Sequence, residues 1–314
     1  MTIKREMKRL KVWIEAIRLR TLPVSVSGVV IAIAMAVWFG EERWVPAVLC
    51  LLFAILAQVV SNLANEYYDF LRGADKKGRV GPRRGVTEGD IKPTTLRNVT
   101  FATLVAACAV GCGLLFYGEW WLIIVGVVIA VFALAYSAGP YPLSYHGLGE
   151  AAVFVFFGLV PVNFTYYVQA GHFDAFALLA SIAIGFMGVN VLLVNNYRDM
   201  EDDIDAGKHT SVVIFGRPLA ATAYLINGFV AIFILSPVWL RLMLMGAWWG
   251  IAPAVVYLII HLSCWAQLKR KSGAALNPLL GGTARAMLIF TVLFAVALVC
   301  SSYFCTAATT GWWR

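Results

Sequence analysis

Charge is what this chain has least of. Only 13% of its 314 residues are Asp, Glu, Lys or Arg, while 61% are hydrophobic and the mean hydropathy is +0.79. An ordinary soluble domain carries about 25% charged residues, so that class is excluded. Acidic residues are the scarcer sign, 17 against 25 basic, which makes any place where they gather informative. Cysteine is sparse too. The six cysteines (Cys50, Cys108, Cys112, Cys264, Cys300 and Cys305) lie in or beside apolar stretches, and no spacing among them resembles a zinc site. They read as small apolar side chains. No low-complexity segment or soluble domain interrupts the chain. The string GKHT at 207–210 lacks both the upstream glycine spacing and the Ser/Thr after lysine that a phosphate loop requires.

What is present is long apolar runs. A membrane-spanning helix needs roughly 20 mostly apolar residues. Nine such stretches fall near 21–39, 44–66, 98–117, 120–138, 150–168, 175–195, 218–239, 244–266 and 286–306. The expected fold class is all-α: a polytopic membrane protein with nine transmembrane helices in one bundle, a single domain over 1–314. With the N-terminus inside, all lysines and arginines except Arg43, Arg241 and Arg314 fall on the cytoplasmic side. The net charge of +8 is this bias and not a nucleic-acid footprint. The basic start MTIKREMKRLK resembles a signal n-region, but no soluble mature domain follows. Residues 1–20 instead predict an interfacial helix with Trp13, Ile14 and Ile17 on its apolar side, and Pro23 suits the first turn of the next helix.

The scarce acids gather in two related places. NEYYDFLRGAD (65–75) and NNYRDMEDDID (195–205) share Asn, Tyr, Asp and Asp at matching positions 130 residues apart. Each stands where an apolar stretch enters a charged loop, 69–97 or 197–217. An offset spanning four helices predicts two parallel four-helix repeats plus a ninth helix, with both signatures on the cytoplasmic face. Asn65 and Asp69 share a helix face, as do Asn195, Asp199 and Asp203. Gly73 is expected to end the first helix, leaving Asp75 free to fold back. Carboxylates at a helix C-terminus oppose the helix dipole by about 0.3–1 kcal/mol each, so their repetition suggests a use for the negative charge. Facing acidic sets suit Mg²⁺, which takes one or two carboxylates and completes its shell with water and phosphate oxygens. The reading is a metal–diphosphate site that favours loss of pyrophosphate.

Arg72, Arg83, Arg84, Arg198 and Lys208 lie in the same loops, and GRVGPRRG (78–85) suits a phosphate-contacting lid. Between helices 4 and 5, YSAGPYPLSYHGLGE (136–150) carries Tyr136, Tyr141 and Tyr145, whose rings could face a carbocation. Interfacial tyrosines also occur for no catalytic reason. His146 and His172 read as surface histidines.

These residues resemble the UbiA-type intramembrane aromatic prenyltransferases, and within them the naphthoate branch of menaquinone biosynthesis. The resemblance rests on WIEAIRLRTLPVS (13–25), SNLANEYYDFLRGAD (61–75), GPRRG (81–85), YSAGPYPLSYHGLGE (136–150) and NNYRDMEDDIDAGKHTSVV (195–213), in order and spacing. It implies metal ligation by Asn65, Asp69, Asp75, Asp199 and Asp203. It also implies diphosphate or substrate contacts from Asn65, Arg72, Arg83, Arg84, Asn195, Arg198 and Lys208, and catalytic roles for Asp69, Asp199, Tyr136 and Tyr141. The implied cofactor is Mg²⁺. The implied partners are a polyprenyl diphosphate, an aromatic acid such as 1,4-dihydroxy-2-naphthoate, and the lipid bilayer of a bacterial inner membrane. Glu66 stands where many relatives have Asp. Ser-Ala-Gly-Pro after Tyr136 replaces the lysine common in ubiquinone-type members. Alternatives are another acceptor, such as 4-hydroxybenzoate or homogentisate, and, from a different class, a secondary transporter.

Overall fold

A computed structural model describes the backbone of residues 2–78 and 80–310, with side chains omitted at 2–6, 8, 9 and 304–310. Arg79, Arg314, the Cys305 side chain and most of the basic start therefore lie outside the described residues. The helices are α1 (Thr2–Ile17), α2 (Leu22–Phe39), α3 (Trp44–Leu71), α4 (Pro93–Gly113), α5 (Leu122–Ala135), α6 (Gly149–Ala170), α7 (Ala175–Arg198), α8 (Met200–Asp205), α9 (Ser211–Phe233), α10 (Ser236–Leu244), α11 (Ala252–Arg270) and α12 (Asn277–Thr310). No strand occurs among the described residues.

Eight apolar helices among the described residues are long enough to cross a membrane. The ninth expected stretch, 120–138, forms only the 14-residue α5. A 14-residue helix is about 21 Å long, short of a hydrocarbon core about 30 Å thick. Helix α3 runs five residues past the expected 44–66 and so carries Asp69 on its last turn. The spans Ser211–Leu244 and Gly273–Tyr303 likewise begin earlier than the hydropathy pattern suggested.

Around the bundle, α2 packs against α3, α6 and α12, and α3 against α4 and α5. Helix α6 packs on α7, α7 on α9 and α12, and α11 on α9 and α12. Helix α5 meets α6 through Phe132 against Phe156, with ring centroids 4.7 Å apart. Small residues set the closest approaches, as expected where packing rather than water exclusion joins helices. At Gly28 an added Cβ would lie 3.1 Å from Pro161, and at Gly158 only 2.4 Å from the Gly185 Cα. A π-helical segment, Phe154–Leu159, precedes Pro161 within α6. Proline lacks an N–H and crowds the carbonyl four residues back, and the wider turn absorbs that conflict. Helix α9 kinks at Gly216 (φ 79°), just before Pro218.

At the N-terminus the inward-facing residues of α1 are Val12 and Ala16, packed with Leu63, Val86, Ile91 and Leu96. Ile14, expected on the apolar side, is exposed. The chain then turns through Arg18, the one non-glycine residue with positive φ (56°) among those described, and Pro23 occupies the first turn of α2 as expected.

Candidate active site

Helix α3 ends at Leu71, and Gly73 adopts the left-handed conformation (φ 67°) that reverses the chain, as its position predicts. Asp69 is 1% exposed. Its carboxylate accepts from Asn65 Nδ2 (3.1 Å), Tyr145 Oη (3.0 Å) and Lys208 Nζ (3.2 Å). Asn65 also donates to Ser137 Oγ (3.0 Å), and its amide oxygen accepts from both Arg18 and Arg84 (3.2 Å). Asp75 folds back beneath the loop and pairs with Arg84 Nε at 3.1 Å, both side chains being buried.

The second signature breaks differently from the first. Helix α7 stops at Arg198, Asp199 is a non-helical hinge, and α8 starts at Met200. Glu201, Asp202 and Asp203 thus occupy the first turn of a new helix, where the dipole favours negative charge. The expected dipole conflict is therefore relieved in this copy. Asp203 N–H still bonds the Asp199 carbonyl at 2.8 Å, so the face shared by Asn195, Asp199 and Asp203 continues across the break. Arg198, 2% exposed, holds Asp199 with two bonds of 2.6 Å and reaches Asn195 (2.9 Å) and Asn277 (3.1 Å). Arg217, at the α9 kink, clasps Glu201 with two more 2.6 Å bonds and donates to the Tyr197 carbonyl. That hydrogen bonding holds the Glu201 carboxyl below its usual range.

The two signatures meet at one group. Lys208 Nζ stands 3.2 Å from Asp69 and 3.8 Å from Asp203, and 4.9 Å from the centre of the Tyr145 ring. Arg72 lies 5.1 Å from the centre of the same ring and donates to the Ser137 and Gly139 carbonyls. Burial and the adjacent Asp69 charge raise the Tyr145 pKa, keeping it a hydroxyl donor. The 72–92 loop closes over α8: Val80 N–H donates to Asp202 (3.3 Å), Lys76 pairs with Asp205, and Asn277 donates to the Val80 carbonyl.

Beside this polar centre lies an apolar cavity of about 380 Å³ between α2, α3, α4, α5 and α6. Cys50, Cys108 and Cys112 line it as ordinary small side chains. Tyr136 lines its wall, and the next residue, Ser137, accepts from Asn65, so this turn joins the cavity to the acidic centre.

The model of the UbiA prenyltransferase family matches residues 26–277. The chain belongs to that family. It is 31% identical to a 1,4-dihydroxy-2-naphthoate octaprenyltransferase of Escherichia coli, over 96% of this chain and 99% of the relative. It is 33% identical to a protein of the same name from Mycobacterium tuberculosis, over 91% and 96%. Among solved structures, a UbiA homolog from Archaeoglobus fulgidus bound to DMAPP and Mg²⁺ superposes with a TM-score of 0.62. That match is 18% identical and covers 92% of this chain and 99% of the other, a likeness of fold. With eight apolar helices of spanning length among its described residues, this UbiA-family prenyltransferase is a multi-pass membrane protein.

Most of the expected site residues of this UbiA-family protein converge, and two do not. Arg83 turns outward to Asp90 and Glu15. Tyr141 is 59% exposed and stacks on His146 with ring centroids 3.6 Å apart. Several contributors carried no local sign in the sequence. Arg18 reaches Asn65 across 47 residues, and buried Glu66 accepts from Val86 N–H at 3.2 Å, tying down the GPRRG loop. Ser137, Asn277 and Arg217 complete the second layer. The positive φ of Arg18, which aims it inward, is a property of the folded backbone alone.

Proposed function

We propose that this protein transfers a polyprenyl group from a polyprenyl diphosphate to 1,4-dihydroxy-2-naphthoate, releasing diphosphate and CO₂ and giving demethylmenaquinol. The observation that carries the reading is the meeting of both acidic signatures at Lys208, beside Tyr136 and the apolar cavity. The Escherichia coli and Mycobacterium tuberculosis relatives support the choice of acceptor.

No three Asp, Glu, His or Cys side chains form a ready metal cage among the described residues. The donors still fit Mg²⁺, since they are all oxygens and each side offers one or two carboxylates. Asp69 would serve from one side and Asp199 with Asp203 from the other. Asn65 and Asp75, whose oxygens Arg18 and Arg84 engage, would complete the first set. When bound, Mg²⁺ supplies neutralisation of charge on the departing diphosphate.

The chain's own groups do the rest. Lys208, Arg72 and Arg198 bind diphosphate oxygens, with Asn195 holding Arg198 and buried Arg84 fixing the loop above. The allylic C–O bond breaks and its electron pair leaves with diphosphate. The Tyr136 and Tyr145 rings face the resulting cation. The ring carbon that bears the acceptor's carboxylate forms the new C–C bond, and that carboxylate leaves as CO₂, its electron pair restoring the aromatic ring. Arg83 and Tyr141 belong to the rim where substrates enter. The apolar cavity takes the first isoprene units, and the remaining tail extends into lipid. The same reading makes 1–314 one domain of two parallel four-helix repeats plus a ninth helix. Its N-terminus and site face the cytoplasm of a bacterial inner membrane.

The test is product analysis on membranes containing the protein, given Mg²⁺, a long polyprenyl diphosphate and 1,4-dihydroxy-2-naphthoate. A prenylated, decarboxylated naphthoquinol is expected, absent with EDTA and in Asp69→Ala or Asp199→Ala protein that still inserts. Product only with 4-hydroxybenzoate or homogentisate would move the acceptor. Full activity in either variant would overturn the mechanism. Solute accumulation in sealed vesicles without chemical change would mark a transporter instead.

A further inference from the structure

The buried charges at the site are already matched. Asp69 and Asp203 share Lys208, Asp199 is clasped by Arg198, and Asp75 pairs with Arg84. Lys208 is only 14% exposed at its side chain and stands between carboxylates of the two signatures. A divalent ion joining Asp69 to Asp203 would occupy the same neighbourhood. A second cation there is disfavoured, because like charges within about 4–6 Å repel one another. The backbone permits exchange: Lys208 follows the left-handed Gly207 (φ 68°), and its N–H is held by the Asp203 carbonyl at 2.8 Å. The long side chain can therefore leave the carboxylates while its Cα stays in place.

We propose that Lys208 is a resident counter-cation that keeps bare divalent metal out of the site until a diphosphate arrives. The incoming anion draws the ammonium off Asp69 and Asp203 onto its own oxygens, leaving carboxylates that would hold the metal. Diphosphate thus precedes the metal, and each nearly compensates the other's charge. Lys208 is thus a positioning residue that sets the order of binding as well as a phosphate contact. This rests on the diphosphate reading above but is tested without turnover.

The experiment is Mn²⁺ binding to the full chain in detergent, read as Mn²⁺ retained with the protein after rapid gel filtration. It is run with and without inorganic pyrophosphate. Wild type should bind Mn²⁺ at least about tenfold more tightly with pyrophosphate than without. Lys208→Met should bind bare Mn²⁺ at least about tenfold more tightly than wild type and lose most of the pyrophosphate enhancement. Lys208→Arg, which keeps the charge, should behave as wild type, and adding Asp69→Asn to Lys208→Met should abolish the gain. Thermal melting of each variant confirms folding, and Lys208→Gln substitutes if the Met variant does not fold. Bare-metal affinity in the neutral variant equal to or below wild type would overturn the proposal. Failure of wild type to bind Mn²⁺ even with pyrophosphate would instead overturn the diphosphate reading itself.

Discussion

Gly158→Ala is expected to loosen the frame that carries the second signature. A Cβ at Gly158 would lie 2.4 Å from the Gly185 Cα, 2.6 Å from the Ser181 carbonyl oxygen and 2.7 Å from the Gly185 nitrogen. All three are backbone atoms, so no rotamer change can make room. Ordinary contact begins near 3.4 Å, and α6 and α7 must part by about 1 Å where packing is close to crystalline. Overpacking of this kind costs about 1–3 kcal/mol. Gly→Ala in a helix returns up to about 1 kcal/mol. A net loss of about 1–2 kcal/mol corresponds to a fall of roughly 3–6 °C in apparent Tm, at a few degrees per kcal/mol. Because α7 bears Asn195, Asn196 and Arg198, activity at a permissive temperature should fall as well. The control is Gly126→Ala on α5, where an added Cβ meets nothing within 4 Å and Tm should hold or rise slightly. Melting curves in detergent read both. Gly158→Ala melting at or above wild type would refute the close-approach argument.

Arg83 and Arg84 are adjacent in sequence and opposite in role. Arg83→Ala, which removes exposed ion pairs to Asp90 and Glu15, should change stability by less than about 1 kcal/mol and activity only slightly. Arg84→Ala removes the buried cation that pairs with Asp75 and one of the donors to Asn65, so activity and folded yield should fall in a side-by-side assay. Tyr145 has its pKa raised by burial and Asp69, so its hydroxyl stays protonated through ordinary assay pH. Its contribution to stability is full below the unfolded value near 10 and declines as pH rises from there toward the higher folded value. Tyr145→Phe should therefore lower kcat equally at pH 6 and pH 9, and a pH-dependent deficit would contradict that. Gly126→Phe, filling the cavity from its open side, should raise KM for a long-chain diphosphate more than for a five-carbon one.

Much of this protein was written in its one-dimensional pattern. A bilayer demands long apolar helices whatever their packing, so composition alone fixed the class, and hydropathy located the eight apolar helices of spanning length among the described residues, while the ninth expected stretch forms only the 14-residue α5. The paired signatures were visible because acids are scarce here, and helical periodicity placed Asn65 with Asp69 and Asn195 with Asp199 and Asp203. Folding decided what periodicity cannot see. Whether α5 reaches span length depends on where the chain turns so that Ser137 meets Asn65, a contact across 72 residues. That Arg84 is buried while Arg83 is not depends on Glu66 anchoring the loop from below. Arg18 joins the site through a left-handed turn that no local propensity favours. Lys208 stands between two carboxylates that lie 139 and five residues away along the chain, a meeting made only when α3 and α8 are brought together. Periodicity reports which face a residue shares with its own helix. The partner across the bundle is chosen by helix ends, kinks and close glycine contacts, and these exist only in three dimensions.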